Sequence, residues 1–352
     1  MKKLLLTLLL AGSLFAGDYE KAIEAAQKGD MQTAIQLLEP MANLGDSKSQ
    51  LALGLIYQAN GSLQKSIEFF KSAAEQGSPK AQFQLGYAYV TGQGITQDFP
   101  KAVKWFKKAA EQGHSISQLN LGVIYHYGRP GIQPNVKEAA KWYKLAADQG
   151  LAVAQYNLGI LYRDGQGVAQ DYQKALNLFK SAAAKGVASA YSDLGSMYHK
   201  GEGVKKDLKE AYKFFKTAAN AGDILGVHNL AICYSEGEGT KKNCAKALKW
   251  YKKAASQGFV TSQYNLGSFY DKGKCVKKDP KQAVKWFKLA ADQGYASAQY
   301  NLAVYYDEGR ESIPKNKIKA YQWYMKAAKQ GHQDAQYNLD ILCKKSPWAC
   351  QK

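Results

Sequence analysis

Any chemistry in this chain has to come from its histidines, its cysteines and two serine–lysine spacings. The five histidines are His114, His126, His199, His228 and His332, and no two fall at the three- or four-residue spacing that gathers metal ligands on one helix face. No metal site is expected. Ser-x-x-Lys, the nucleophile motif of serine β-lactam enzymes, occurs at Ser62–Lys65 and Ser312–Lys315, without the companion Ser-Asp-Asn or Lys-Thr-Gly. Gly92-Gln93-Gly94 and Gly165-Gln166-Gly167 look like phosphate loops, but they follow helical stretches rather than strands and recur along the chain. They read as turns. Catalytic residues and cofactors are therefore not expected.

The elements that hold these residues are repeats. Gly77, Gly113, Gly150, Gly186, Gly222, Gly258, Gly294 and Gly331 each follow an Ala-Ala segment, 36 or 37 residues apart. Such a period means stacked supersecondary units, none of which can bury its apolar face alone. Each unit reads as two helices. The first, helix A, carries Leu-Gly and then Tyr, as in Leu121-Gly122 with Tyr125, Leu158-Gly159 with Tyr162 and Leu266-Gly267 with Tyr270. Leu and Tyr share a face, and the glycine admits a close partner helix. The second, helix B, carries Ala, an aromatic pair and Ala-Ala, as in Ala283, Trp286-Phe287 and Ala290-Ala291, with lysines facing water. The loop between them ends in Asp98, Asn135, Asp171, Asp207, Asn243, Asp279 or Asn316, each placed to cap helix B.

The full pattern appears in Ala154, Leu158-Gly159, Tyr162, Gly165-Gln166-Gly167-Val168, Asp171, Lys174-Ala175, Phe179 and Ala182-Ala183. It resembles the Sel1-like repeat, a relative of the tetratricopeptide repeat. The resemblance implies an all-α fold, a right-handed α-solenoid of about nine stacked helix pairs. The organisation expected is a signal peptide over 1–16, a degenerate helix pair over 17–45, the array over 46–331, and a capping helix and tail over 332–352.

Lys2 and Lys3, the apolar run from Leu4 and the small Ala16 read as a secretory signal, with maturation near Gly17. The apolar run is too short to span a bilayer as a helix. The expected location is the periplasm or outside the cell, where disulfides persist. Cys343 and Cys350 then clamp the C-terminal end. Cys233 and Cys244 fall on apolar positions of one helix pair, and Cys275 in the next loop where other units carry glycine. Cys233–Cys244 is the favoured bridge, with Cys244–Cys275 as the alternative.

In helical repeats the residue two before the Leu-Gly leucine points into the concave groove. That column includes Tyr156, His228, Tyr264, Tyr300 and Tyr337, beside a second column with Asn157, Asn265 and Asn301. Aromatic rings and amides suit an extended peptide or protein segment. The formal charge of +19, or +17 without Lys2 and Lys3, adds acidic cell-envelope polymers as partners. Nucleic acid is disfavoured, because the chain has an export signal and only three arginines, Arg129, Arg163 and Arg310. The function expected is an exported protein-interaction scaffold. The alternative is a weak β-lactam-binding hydrolase, implied by resemblance to the Helicobacter cysteine-rich proteins, which are secreted Sel1-type β-lactamases. The cysteine pair of that group falls here on residues such as Ala74 and Gln82.

Overall fold

A computed structural model describes residues 16–310 and 313–351. The signal-peptide segment up to residue 15 lies outside the described residues, as does Ser312 of the second Ser-x-x-Lys spacing. The described residues form twenty helices and no β-strand, only the isolated bridges Arg129–Ile132 and Arg310–Ile313. The fold is an α-solenoid. The chain divides into two compact units, 1–178 and 179–352, and the division falls inside the helix Tyr172–Ala184.

In the first unit, helix pairs begin with Ala16–Gln27 and Met31–Asn43, and continue through Ser47–Ala59 with Leu63–Glu75, Pro79–Thr91 with Phe99–Glu111, and Ser115–Tyr127 with Val136–Asp148. The second unit contains Ala188–Lys200 with Leu208–Asn220, Ile224–Glu236 with Cys244–Ser256, Val260–Lys272 with Pro280–Asp292, and Ala296–Glu308 with Lys317–Ala328. Gln333–Lys345 and the one-turn helix Pro347–Cys350 follow. The capping pattern holds: Asp98 accepts from Lys101 N, Asn135 from Glu138 N, Asn243 from Lys246 N and Asp279 from Gln282 N. Each acceptor satisfies one of the free N–H groups that a helix start leaves unpaired.

The core of each pair is the Leu-Gly ridge against an aromatic of helix B. Leu121 and Tyr143 are fully buried in the first unit; Leu266 and Phe287 are buried in the second. The glycine of Leu-Gly is there because that ring lies on its backbone. A Cβ on Gly267 would sit 2.5 Å from the Phe287 ring, and one on Gly86 would sit 2.7 Å from Phe106. In these repeats helix B packs closer than a Cβ would permit, whereas Ala231 and Ala303, both buried, stand at this position in two others.

Neighbouring pairs within a unit are joined by a ladder of buried glutamines. Gln82 donates to Ala74 O at 3.1 Å and Gln118 to Ala110 O at 3.0 Å; Gln263 donates to Ala255 O and Gln299 to Ala291 O, both at 3.1 Å. The side-chain oxygens then accept from the glutamine that ends the following helix B: Gln112 onto Gln82, Gln149 onto Gln118, Gln293 onto Gln263 and Gln330 onto Gln299, at 2.7–2.9 Å. A buried amide with both ends occupied holds register, since losing one partner strands the other. Where a repeat closes with Gln-Gly, as at Gln112-Gly113, Gln149-Gly150, Gln293-Gly294 and Gln330-Gly331, that dipeptide supplies both the turn and the ladder's donor.

The cysteines pair as Cys244–Cys275 and Cys343–Cys350, and Cys233 is free. The expected Cys233–Cys244 bridge is thus corrected. Cys233 is 2% exposed inside the core, and burial pushes its thiol up to about 12. Cys244 begins its helix, where the next repeat's loop crosses. At the position of Cys275 four other loops carry a glycine with positive φ, Gly94, Gly167, Gly203 and Gly239, and a Cβ on Gly94 would lie 2.7 Å from the carbonyl of Leu63, the first residue of the preceding helix B. The loops of Gly94, Gly167 and Gly239 each touch the start of the preceding helix B, and here the contact is a covalent bond, with Cα atoms 4.9 Å apart.

Candidate partner-binding site

The expected groove column lies at the junction of successive A helices, and its side chains are shared between core and surface. Tyr264 is half-buried, with its ring 5.8 Å from Phe287 of its own repeat and 5.1 Å from Tyr295 at the start of the next A helix. Tyr300 repeats the arrangement, 6.0 Å from Tyr324 and stacked on His332 at 4.7 Å. Phe83 does the same in the first unit, against Phe106 and His114. Tyr156 is half-buried in Ala152–Asp164, and Tyr337 is 67% exposed. The rings of Tyr264 and Tyr300 are held from behind and keep an open edge.

His228 departs from this pattern. It is 7% exposed, its Nδ1 lies 2.7 Å from Ser262 Oγ, and Tyr251 and Phe259 close over its ring. Burial lowers its pKa from 6.5 to about 4, so it is neutral at physiological pH. The expectation that His228 faces a partner is corrected. An imidazole is small enough to be drawn under Phe259, and Ser262 satisfies its nitrogen. Ser192, also in the column, is buried and bonded to Asp223 at 2.5 Å.

The amide column divides by what stands fourteen residues earlier on helix B. Where that residue is tyrosine, the amide is used internally: Asn157 bonds the hydroxyl of Tyr143 and Asn265 that of Tyr251, while Asn338 donates to Tyr324 at 3.4 Å. Where it is phenylalanine, no hydroxyl is present. Asn120, after Phe106, donates to Ile116 O of its own helix at 3.0 Å, whereas Asn229, after Phe215, and Asn301, after Phe287, are half-buried with no side-chain hydrogen bond among the described residues. Of the expected asparagines, Asn301 is the one with free donors and acceptors. The signal that distinguishes the two sets, Tyr or Phe in helix B, is visible in the sequence once the fourteen-residue relation is known.

Asn229 also lines a depression of about 240 Å³ between Ala188–Lys200 and Ile224–Glu236. Its walls include Ser196, His199, Lys200, Cys233 and Glu238, and His199 Nε2 lies 3.1 Å from Glu238 Oε2. Sequence reasoning missed this pocket. The buried Cys233 thiol stays protonated at neutral pH and is no nucleophile there. Lys65 Nζ lies 5.2 Å over the Tyr57 ring. Among the described residues no group of three or more His, Cys, Asp or Glu side chains could hold a metal ion, and no helix is long and apolar enough to cross a membrane.

Comparison with known proteins follows the same repeats. No curated protein matches the chain. The crystal structure of c5321, a protective antigen present in uropathogenic Escherichia coli strains and displaying an SLR fold, is 36% identical. Its TM-score is 0.73, over 89% of this chain and 68% of that one. A Sel1 repeat protein from Oxalobacter formigenes is 34% identical with a TM-score of 0.64, over 68% of this chain and 96% of its own. The Sel1 repeat family matches nine times, at residues 19–46, 47–78, 79–114, 115–151, 152–187, 188–223, 225–259, 260–295 and 296–332. The first of these matches, 19–46, covers most of the pair expected over 17–45. With matches running almost from end to end, and the helix pairs, close glycines and capped loops all falling in register with them, the chain belongs to the Sel1 repeat family.

Proposed function

We propose that this chain is an exported scaffold that holds an extended segment of a protein partner along the A-helix face of its second unit. Sel1 repeat proteins are generally protein-interaction scaffolds. The reading rests on one observation: Asn301 has no partner for its amide among the described residues and stands between Tyr300 and Leu302, beside rings that Tyr295 and His332 hold in place. A pre-positioned ring loses little entropy on binding, and a free amide can pair with a peptide backbone. Tyr264, Tyr300 and Tyr337 are the proposed anchors, with Asn301 and Asn229 as backbone readers. Asn157 and Asn265 serve to hold tyrosine hydroxyls.

Export is supported by the two disulfides, which persist in oxidising compartments, and by the basic and apolar leader. An exported chain of this charge also meets acidic envelope polymers. Photocrosslinking tests the partner reading. A photoreactive side chain placed at Tyr337 should capture one discrete partner from the extracytoplasmic fraction, and Tyr300→Ala should reduce that capture at least fivefold. The same probe at Lys249, on an outer helix, should not capture it. Equal capture from both positions would defeat the assignment. Export is tested separately, by the intact mass of the protein outside the cytoplasm: a start near Gly17 is expected, and retention of Met1 overturns it.

A further inference from the structure

The net charge is not shared between the two units. Residues 1–178 carry 18 basic and 14 acidic side chains, a formal +4, whereas residues 179–352 carry 30 and 15, a formal +15. Asymmetry of this kind points to an anionic partner of one part of a chain. Much of it lies in a single loop position. Lys205-Lys206, Lys241-Lys242 and Lys277-Lys278 precede helix B in three consecutive repeats, at intervals of 36 residues. All six are exposed, and none has a carboxylate within ion-pair distance among the described residues.

The first unit shows what this position does elsewhere. There the residue before the cap is Gln97, Pro134 or Gln170, and each glutamine amide closes the end of its helix A, donating to Val90 O at 2.6 Å and to Arg163 O at 2.8 Å. In the second unit Lys206, Lys242 and Lys278 occupy the same place, against Gly201, Gly237 and Gly273, and make no such bond. An internal hydrogen bond has been exchanged for an exposed charge. The three loops also lie in a row. Gly239 packs on the backbone of Leu208, which follows Lys205-Lys206, and Cys275 is bonded to Cys244, which follows Lys241-Lys242. Successive pairs are therefore about one helix diameter apart, ~10 Å, close enough at moderate salt for their fields to add.

We propose that this lysine edge binds a linear polyanion carrying carboxylates along a flexible chain, such as a polyuronate or a polyglutamate. The proposal deepens the envelope-polymer reading above, but its test on purified protein is independent of where the chain resides. Three pairs of point charges at a constant interval match a polymer with repeating charge. Lysine ammonium groups need no fixed geometry from their partner. The loops offer no exposed aromatic between the pairs on which a base could stack, and no arginine to read one, so nucleic acid is not the occupant they fit. A membrane surface would require an apolar insert beside the charges, and the loop valines Val204 and Val276 are half-buried.

The test compares two variants of equal net charge, both checked by circular dichroism for an intact fold. In one, Lys205, Lys206, Lys241, Lys242, Lys277 and Lys278 become Gln. In the other, Lys180, Lys216, Lys249, Lys252, Lys329 and Lys344, all exposed away from these loops, become Gln. Fluorescence anisotropy with labelled polyglutamate and polyguluronate is read over a range of NaCl. The edge variant should bind at least tenfold more weakly, and its slope of log K against log salt should flatten by about 4, roughly 0.7 for each lysine neutralised. The control should stay within threefold of the parent. Equal weakening in both variants would show that the charge acts diffusely and overturn the proposal. Tighter binding of single-stranded DNA or of anionic vesicles than of either polymer would overturn the choice of partner.

Discussion

Removing the Cys244–Cys275 bridge in two different ways separates cross-linking from backbone conformation. The bridge closes a loop with a sequence separation of 31. On the chain-entropy relation, a loop of that length corresponds to about 3.7 kcal/mol of stability withdrawn from the unfolded state. Cys275 holds φ at 64°, the only described non-glycine residue with positive φ, in a position where Gly94, Gly167 and Gly239 stand in other repeats. A left-handed conformation costs an L-residue ~1–2 kcal/mol, and the greater freedom of glycine in the unfolded chain returns part of that, leaving about 1 kcal/mol. Cys244→Ala with Cys275→Ala should therefore lose about 3–4 kcal/mol, and Cys244→Ala with Cys275→Gly about 1 kcal/mol less. Urea unfolding under oxidising conditions gives the order of the three proteins. Hydrogen exchange at Lys274 N, which bonds Phe269 O, reports the local loosening expected where neighbouring repeats carry the stability. If the glycine variant is no more stable than the alanine variant, the strain argument fails. If both match the parent, the bridge constrains nothing.

Burial sets His228 near 4 against an ordinary 6.5. The fold disfavours its proton, so stability is full above about pH 6.5 and is lost as pH falls toward 4, by at most about 3 kcal/mol; His228→Phe should flatten that part of the stability–pH curve, and an unchanged curve would refute the assignment. Gln299→Ala strands Ala291 O and the Gln330 amide and should cost about 1–3 kcal/mol, read as a lower urea midpoint at constant slope. Gly267→Ala drives a Cβ into the Phe287 ring and should cost about 1–3 kcal/mol; adding Phe287→Leu should recover part of the loss, and no recovery would locate the clash elsewhere. Tyr264→Ala, with a half-buried ring, should lower stability by about 1–2 kcal/mol, and Tyr337→Ala, largely exposed, by less than about 0.5 kcal/mol. The reverse order would show that Tyr337 is the packed residue.

The repeat made much of this architecture legible in advance. A period of 36 or 37 residues, Leu-Gly followed by Tyr, and an Asp or Asn before each second helix specify helix pairs, because helical faces and caps are local properties of three or four residues. The candidate site was less legible. Tyr264, Tyr300 and His228 share one column in the sequence, yet the first two keep an open edge and the third is buried. What separates them is the residue that begins the next A helix and the size of the side chain it covers: Tyr295 over Tyr264, Phe259 over the smaller imidazole. Asn265 and Asn301 look equivalent until the ring of the preceding helix B is seen to be Tyr251 in one case and Phe287 in the other.

By itself the sequence determined the repeat, the helix boundaries and caps, the close-approach glycines and the distribution of lysine, since each follows from spacing along one chain. The tertiary structure decided which cysteines meet, which amides are free and which aromatics are shared with the core. Those outcomes depend on contacts between residues 14 to 34 positions apart in neighbouring helices, such as Asn265 with Tyr251, Cys244 with Cys275 and His228 with Ser262. Cys233 and Cys244 are closer in sequence than Cys244 and Cys275, but the loop that carries Cys275 crosses the start of Cys244's helix while Cys233 lies inside the core. Proximity in a stacked array is set by the repeat that packs next, and a thiol can bond only to what packing brings within reach.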